Sequence, residues 1–375
     1  MKSKKNMGCR KCRKVAKAQS LIRNFVSKWQ ISLFSYFFIV SIGFSNGFLV
    51  NYGWELFEHV TDARTASLGK ATTAYNFGSP TSSLINPIFS LMPTSNVNVT
   101  HQSRFSGILN NDLAGFQFQR KGKPIQVNLL YEGVGQIPDT RNMLLDWGND
   151  GQFGTNDPGE GNGILDEGER LDVDQLRFFS QHQIGIHAAF NHSFRELPIG
   201  IGVKVLSYSL DNHFALGVGV DLGILKKINE TNIGIVARNL PASGLIWDNG
   251  TVEGTTPTVS VGIHQPLKLA KVPVTLHSMF NLDISTSNRH LDSQLGFGSF
   301  SMDGSFGIEG IYKDKLFIRL GRNSVNNSTG GLGVKWEGFG IDYTFLSSSS
   351  ADGLGNHHLI SLNFSLEWVK SKLLD

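Results

Sequence analysis

The chain has 375 residues, of which 40% are hydrophobic, 17% charged and 42 are Gly, with 2 Cys. A charged fraction this far below the ~25% of a typical soluble domain excludes a charged helical bundle and a disordered chain, and two cysteines exclude a disulfide scaffold. Ten of the 34 Lys and Arg precede residue 55, leaving 24 basic residues against 31 acidic ones; the body is acidic, and nucleic acid is excluded because it needs a folded basic face.

In chain order, the basic leader runs into an apolar stretch, Ile31 to Ile42, closed by Gly43-Phe44-Ser45. This is the charge, apolar core and small-residue exit of a secretory signal peptide, expected over 1–45, and its apolar core is shorter than the ~20 residues of a spanning helix. Cys9 and Cys12 both fall in this leader, and half a zinc site without a second pair carries no metal reading.

After residue 90 the hydrophobic period is two, the mark of strands whose faces meet different surroundings. Strands are expected at Val97–Ser103, Leu113–Arg120, Ile125–Tyr131, Gln183–Phe190, Ile199–Tyr208 and Phe214–Leu225. Further strands follow at Ile233–Arg238, Thr258–His264, Val274–Ile284, Phe306–Tyr312 and Leu316–Leu320. Leu332–Trp336 and Phe339–Phe345 form a hairpin about Glu337-Gly338, and a last strand alternates Ile360, Leu362, Phe364, Leu366 and Trp368 with polar residues. Residues 291–312 read either as two strands or as one long bulged strand.

An all-β chain with these features is expected to be a transmembrane antiparallel β-barrel of about 14 strands. Strand ends carry aromatics, short turns alternate with long polar connections, and a secreted chain without a spanning helix can satisfy its backbone in lipid only as a closed sheet. The barrel is expected over 95–368, with a short tail at 369–375 and an acidic extracellular loop over 133–174. The implied location is the outer membrane of a Gram-negative-type bacterium, with outer-membrane lipid as the surrounding partner. The faces assigned inward are rich in Ser, Asn, Gly and Gln, which suits a polar lumen. The competing reading is a secreted soluble β-sandwich that binds calcium.

The loop concentrates nine carboxylates and one basic residue, Arg170, between Asp146 and Asp174. Asn162, Gly163, Ile164, Asp166 and Glu169 take positions 5, 6, 7, 9 and 12 of a calcium loop, where Gly allows the sharp turn and the last Glu can bind through both oxygens. Pro158 stands at position 1, so Asp157 and Glu160 would have to substitute; Asp146 and Asp150 form a weaker partial match. Calcium is therefore the expected ion, with a solvated acidic loop as the plain alternative. No nucleophile elbow, phosphate loop, dinucleotide glycine motif or His-Glu-x-x-His is present, so no enzyme, catalytic residue or organic cofactor is assigned. The Gly217-Val-Gly219 and Gly331-Leu-Gly333 triplets have strand spacing and read as close packing on the wall.

Two separated stretches carry a family likeness. Asp62-Ala-Arg64-Thr-Ala-Ser-Leu-Gly69-Lys-Ala71 with Ser82-Ser-Leu-Ile-Asn86-Pro87, and Gly340-Ile-Asp-Tyr-Thr-Phe345 with Gly355-Asn-His-His-Leu-Ile-Ser-Leu362, resemble the opening and closing segments of PorV/PorQ-type outer-membrane proteins, relatives of the FadL long-chain fatty-acid transporters. The likeness frames residues 55–368. This chain departs from the pattern at Lys70, where a second Gly is common, and at Ile88, where Ala follows Asn-Pro. The resemblance implies a plug or lumen segment over 46–94, running into the first strand, in which Arg64, Gly69, Asn86 and Pro87 plug or line the lumen. An ordinary turn before the strand is the alternative for Asn86-Pro87. It also implies one of two roles: an accessory to type IX-like secretion, with secretion machinery or a secreted protein as partner, or a channel for a hydrophobic ligand.

Overall fold

The computed structural model describes residues 54–269, 272–286, 293–347 and 356–373. The leader expected over 1–45, with Cys9 and Cys12, lies outside them.

Fourteen strands form one closed antiparallel barrel. They are β1 (Asn96–Arg104), β2 (Leu109–Arg120), β3 (Lys123–Asp139), β4 (Arg177–Phe194), β5 (Leu197–Leu210), β6 (His213–Ile228) and β7 (Thr231–Arg238), followed by β8 (Thr258–Lys268), β9 (Val274–Ser285), β10 (Phe300–Tyr312), β11 (Leu316–Arg322), β12 (Ser328–Trp336), β13 (Phe339–Leu346) and β14 (His357–Ser365). Each pairs with its sequence neighbour, and the ring closes where β14 pairs with β1, from Asn96 opposite Ser365 to Ser103 opposite His358.

Alternation decides which side is which. Along β5, Val203 and Val205 face outward and are exposed, while Lys204 and Leu206 face inward and are buried. The same holds on β11, where Ile318 and Leu320 are exposed and Phe317 and Arg319 buried. An apolar outside around a polar inside is the inverse of a soluble sandwich and the arrangement of a membrane barrel, in which every backbone group pairs within the closed sheet.

The two rims differ. One carries the short turns: residues 121–122, 195–196, 229–230, 269–273, 313–315 and 337–338. Several are tight two-residue turns of the kind that needs positive φ twice, as at Arg195 (47°) and Glu196 (69°). The strand starting at Asn96 and the strand ending at Ser365 open on this same rim. The long connections lie at the other rim. The longest spans 140–176, because β3 continues to Asp139 and β4 starts at Arg177, and a two-residue bridge pairs Leu144–Leu145 with Arg170–Leu171.

Two expectations are corrected, and the open reading of 291–312 resolves as two strands. The segment 54–95 holds no strand: it contains α1 (Glu55–His59), α2 (Ala63–Ser67), α3 (Ser82–Ile85) and a 3₁₀ turn, Pro87–Leu91, and the first strand starts at Asn96. Residues 300–312 form one strand, and Leu295–Phe297 folds back on it as a hairpin, Leu295 opposite Met302. The last strand stops at Ser365, and residues 366–373 form a helix, α4, instead of a strand to Trp368 and a tail. The physical reason is lack of partners. Asn96 already faces Ser365, Phe339 faces Phe364, and the Ser365 and Leu366 amides donate to the Gly338 (2.7 Å) and Ser95 (2.8 Å) carbonyls, leaving no strand to pair with further on.

Residues 54–95 sit inside the barrel and bond to its wall on all sides. Ser361 Oγ on β14 accepts from the Ala63 amide (2.8 Å), and Thr329 Oγ1 on β12 donates to the Ser67 carbonyl (2.9 Å). Asn281 on β9 donates to the Thr73 hydroxyl (2.7 Å), Arg238 on β7 to the Ile85 carbonyl (2.8 Å), and Asn191 on β4 to Ser90 Oγ (2.8 Å). The wall makes room with glycine. A Cβ on Gly200 would stand 2.0 Å from the Ile88 nitrogen, one on Gly234 2.3 Å from the Thr73 carbonyl, and one on Gly307 2.6 Å from the Leu68 carbonyl.

Candidate functional site

The plug's own short elements place its polar groups. Asp62 caps α2: its carboxylate accepts from the Thr65 amide (3.0 Å), the Thr65 hydroxyl (2.8 Å) and the Thr81 hydroxyl (3.0 Å). Asn86 starts the 3₁₀ turn with Pro87 as its first residue, a position where the missing N–H costs nothing. Its side chain accepts from the Ile88 amide and donates to the Thr73 carbonyl (2.9 Å). Pro87 lies against Gly200, Gly202 and Gly223 of the wall, and Gly69 takes φ 62° beside Arg322. Arg64, Gly69, Asn86 and Pro87 therefore all face the lumen wall.

Arg64 leads to the centre of the lumen. Glu309 on β10 accepts from Arg64 Nη2 (2.8 Å), Arg319 Nε (2.6 Å) and the Tyr75 hydroxyl (2.6 Å). Arg319 Nη1 lies 2.7 Å from Asp342 Oδ1, and the Arg64 guanidinium stacks on Phe77 (4.7 Å) and Phe317 (4.9 Å). Arg319 and Glu309 have no exposed side-chain surface. Two donors are left over: Arg64 Nε and Arg319 Nη2 are buried and bond to nothing. A buried donor without a partner costs about 1–3 kcal/mol.

A cavity of about 280 Å³ lies beside the cluster at the short-turn rim, between the plug and strands β11 to β14. Phe77 and Phe317 supply apolar rings, and Asp62, Arg64, Arg319 and Asp342 lie in a wall that is otherwise mostly polar. Next to it, His264 Nε2 and His277 Nδ1 are 2.8 Å apart, and both rings lie against Tyr75, at 4.4 and 5.0 Å between centroids. On the far side of the lumen Lys204 and Asp221 form a buried pair (2.7 Å), with Asn239 donating its amide to Asp221 (2.9 Å).

None of Glu309, Arg319, Asp342, Tyr75 or Lys204 was singled out from the sequence. A signal was present: single charges between outward residues in a two-residue period, as in Val203-Lys204-Val205 and Ile318-Arg319-Leu320, which a lipid-facing strand tolerates only on its lumen side.

The residues expected to bind calcium are held differently. Asp146 accepts from the Gly161 (2.8 Å), Asn162 (3.3 Å) and Gly163 (2.7 Å) amides. These N–H groups, Gly163 first, hold its carboxyl below the usual carboxylate range. Glu169 accepts from the Gly148 and Asp166 amides (both 2.9 Å), Glu160 from Gly154 and Asn156, and Asp157 from the Asp150 amide (2.9 Å). Asp166 accepts from the Asn162 side-chain amide (2.6 Å), Asn162 Oδ1 accepts from the Ile164 amide (2.6 Å), and Asp150 accepts from the Gln152 amide (2.8 Å). These carboxylates fold the loop by capping its turns. Among the described residues no three His, Cys, Asp or Glu side chains converge as a metal site. The Gly217 and Gly219 positions abut the strand Ser243–Trp247, and Gly331 and Gly333 abut Ser67 and Arg319, all close contacts at the wall.

Together these features define the class: a transmembrane β-barrel whose lumen is occupied by its own N-terminal segment. No protein-family model matches the chain, and no curated protein matches it. Among solved structures it is similar to the toluene transporter TodX of P. putida, with 11% identity and a TM-score of 0.45, over 81% of this chain and 98% of that one. It is also similar to the outer membrane protein Omp33 of Acinetobacter baumannii, with 8% identity and a TM-score of 0.36, over 72% and 98%. The barrel assignment rests on the closed strand register, not on these likenesses.

Proposed function

We propose that the chain is a non-enzymatic outer-membrane channel for small hydrophobic or amphipathic molecules, with the plug as its gate. The observation that carries this is the cavity beside the plug, where the Arg64 guanidinium lies against the Phe77 and Phe317 rings and Arg319 shares the wall. Two aromatic rings beside convergent charged and polar groups suit a small amphipathic molecule. The reading includes export through a cleaved leader to a Gram-negative-type outer membrane.

The test is uptake by whole cells with an intact lipopolysaccharide leaflet, with and without the chain, using a labelled monoaromatic hydrocarbon and a labelled long-chain carboxylic acid. Faster entry of either probe, lost in Phe317→Ala and Arg319→Gln variants that still form the barrel, supports the channel. Equal entry of both probes with and without the chain sinks it.

A second reading, PorV/PorQ-type assistance to type IX-like secretion, draws on the extracellular loop, where Phe153 (81%), Val173 (68%) and Ile164 (63%) are exposed. Apolar side chains held out from an acidic loop suit a protein partner. Capture of a secreted protein by the wild type, lost on changing these three to Ser, is the outcome that favours it. Calcium bound by the carboxylates of this loop is part of either reading.

A further inference from the structure

The short-turn rim has a property that a channel does not need. Its first turn carries Arg120, Lys121 and Lys123 with no acid, the turn after β6 has Lys226 and Lys227, and the turn after β10 has Lys313 and Lys315. Arg195, Lys268 and Lys335 sit at three more turns and α4 adds Lys370 and Lys372, so these twelve basic residues outnumber Glu196, Glu230, Asp314, Glu337 and Glu367 on the same rim. The basic residues are all exposed, and among the described residues Lys227 is the one with an ion pair, to Glu230 at 3.8 Å. Carboxylates dominate the opposite rim: the loop after β3, Asp139, Asp211 and Asp248.

The basic groups are coupled to the lipid belt. Most of these turns set an outward apolar side chain beside the cation: Phe118 before Arg120, Phe194 before Arg195, Ile228 after Lys227, Tyr312 before Lys313, Trp336 after Lys335, all exposed. Lys313 Nζ lies 5.2 Å from the Tyr312 ring and the Arg195 guanidinium 5.4 Å from Phe194. Trp368 of α4 stacks on Phe339 (6.0 Å), which brings Lys370 and Lys372 to the same level. Aromatic anchors with cations one step outward match the boundary between acyl chains and headgroups.

We propose that this rim is a binding surface for anionic phospholipid headgroups of the periplasmic leaflet. The charge asymmetry fits one leaflet only, and continuity with the lipid-facing belt puts the cations at headgroup depth, within one Debye length of a lipid phosphate. An acidic periplasmic protein is the other class of occupant, but it would not require the outward apolar side chain that most of these turns carry.

The test is native mass spectrometry of the full chain released from detergent that holds equimolar phosphatidylglycerol and phosphatidylcholine with matched acyl chains. The wild type retains phosphatidylglycerol over phosphatidylcholine by at least about fivefold at low salt, with the preference shrinking as salt rises. A Lys226→Gln, Lys227→Gln, Lys313→Gln, Lys315→Gln variant loses most of the preference, and the same four positions changed to Arg keep it. Heat-modifiability on gels verifies the barrel in each variant. Equal retention of both lipids by the wild type, or a preference that survives the four Gln changes, overturns the proposal. So does envelope cross-linking that captures a periplasmic protein through this rim while no lipid preference is seen.

Discussion

Gly69 in the plug and Arg322 on β11 meet through bare backbone: a Cβ built on Gly69 would stand 2.3 Å from the Arg322 carbonyl oxygen. The next residue, Lys70, also holds a positive φ, 60°, although it has a side chain. That strain is offset locally, because Lys70 Nζ donates to the Glu58 carbonyl at the end of α1.

Gly69→Ala is therefore expected to destabilise the plugged barrel by at least about 2 kcal/mol, combining a left-handed backbone with overpacking. Lys70→Gly should stay within about 1 kcal/mol of wild type, since the relief of strain opposes the lost bond. Urea unfolding in detergent, followed by the gel mobility of boiled and unboiled samples, checks both. Equal stability of Gly69→Ala and wild type would refute the contact.

Glu309 holds two arginines together. Glu309→Gln leaves Arg64 and Arg319 facing each other without a carboxylate and is expected to cost about 3–5 kcal/mol. Adding Arg64→Gln should recover part of that loss, because one of the two stranded charges goes with it. The measurement is a double-mutant cycle in urea, and strict additivity of the two changes would contradict a shared network.

The extracellular loop should respond to acid through Asp146. Its folded carboxyl lies below the ordinary value of 3.8 because backbone amides favour the charged form. A depressed folded value means that the contribution is complete above the unfolded value and disappears as pH falls through the folded one. The Gly161 and Gly163 amides should therefore lose hydrogen-exchange protection only below about pH 4, and Asp146→Asn should lower their protection at neutral pH. Protection that is flat down to pH 2 would exclude this role.

Calcium, if it binds this loop, acts at millimolar levels, with Kd about 10⁻⁴–10⁻³ M for such modules. Each oxygen of Asp166 and Glu169 that accepts an N–H bond keeps a second lone pair for a cation. Calcium should then slow proteolysis between 140 and 176, chelator should reverse this, and Asp166→Asn with Glu169→Gln should abolish the effect. Identical cleavage with calcium and with chelator in the wild type would dismiss the ion.

The barrel was legible because a two-residue period survives any tertiary detail: all fourteen strands lie where alternation predicts them, with the polar face inward. Alternation misled at Leu366 and Trp368, which continue the pattern of β14 yet have no strand beside them to pair with. The lumen cluster was much less readable. Arg64 meets Glu309 across 245 residues of sequence, and nothing local to either one names the other. The plug was visible only through its motif residues, since 54–95 follows no period at all.

The glycines of the wall have one further consequence. Gly200, Gly234, Gly307 and Gly321 lie on different strands and each leaves a notch that fits one particular stretch of the plug. Turned by one strand, the plug would drive its backbone into side chains, so it is keyed to a single azimuth like a bit in a lock. Swivelling the whole plug is sterically barred, so any displacement of it starts by peeling one segment from its notches.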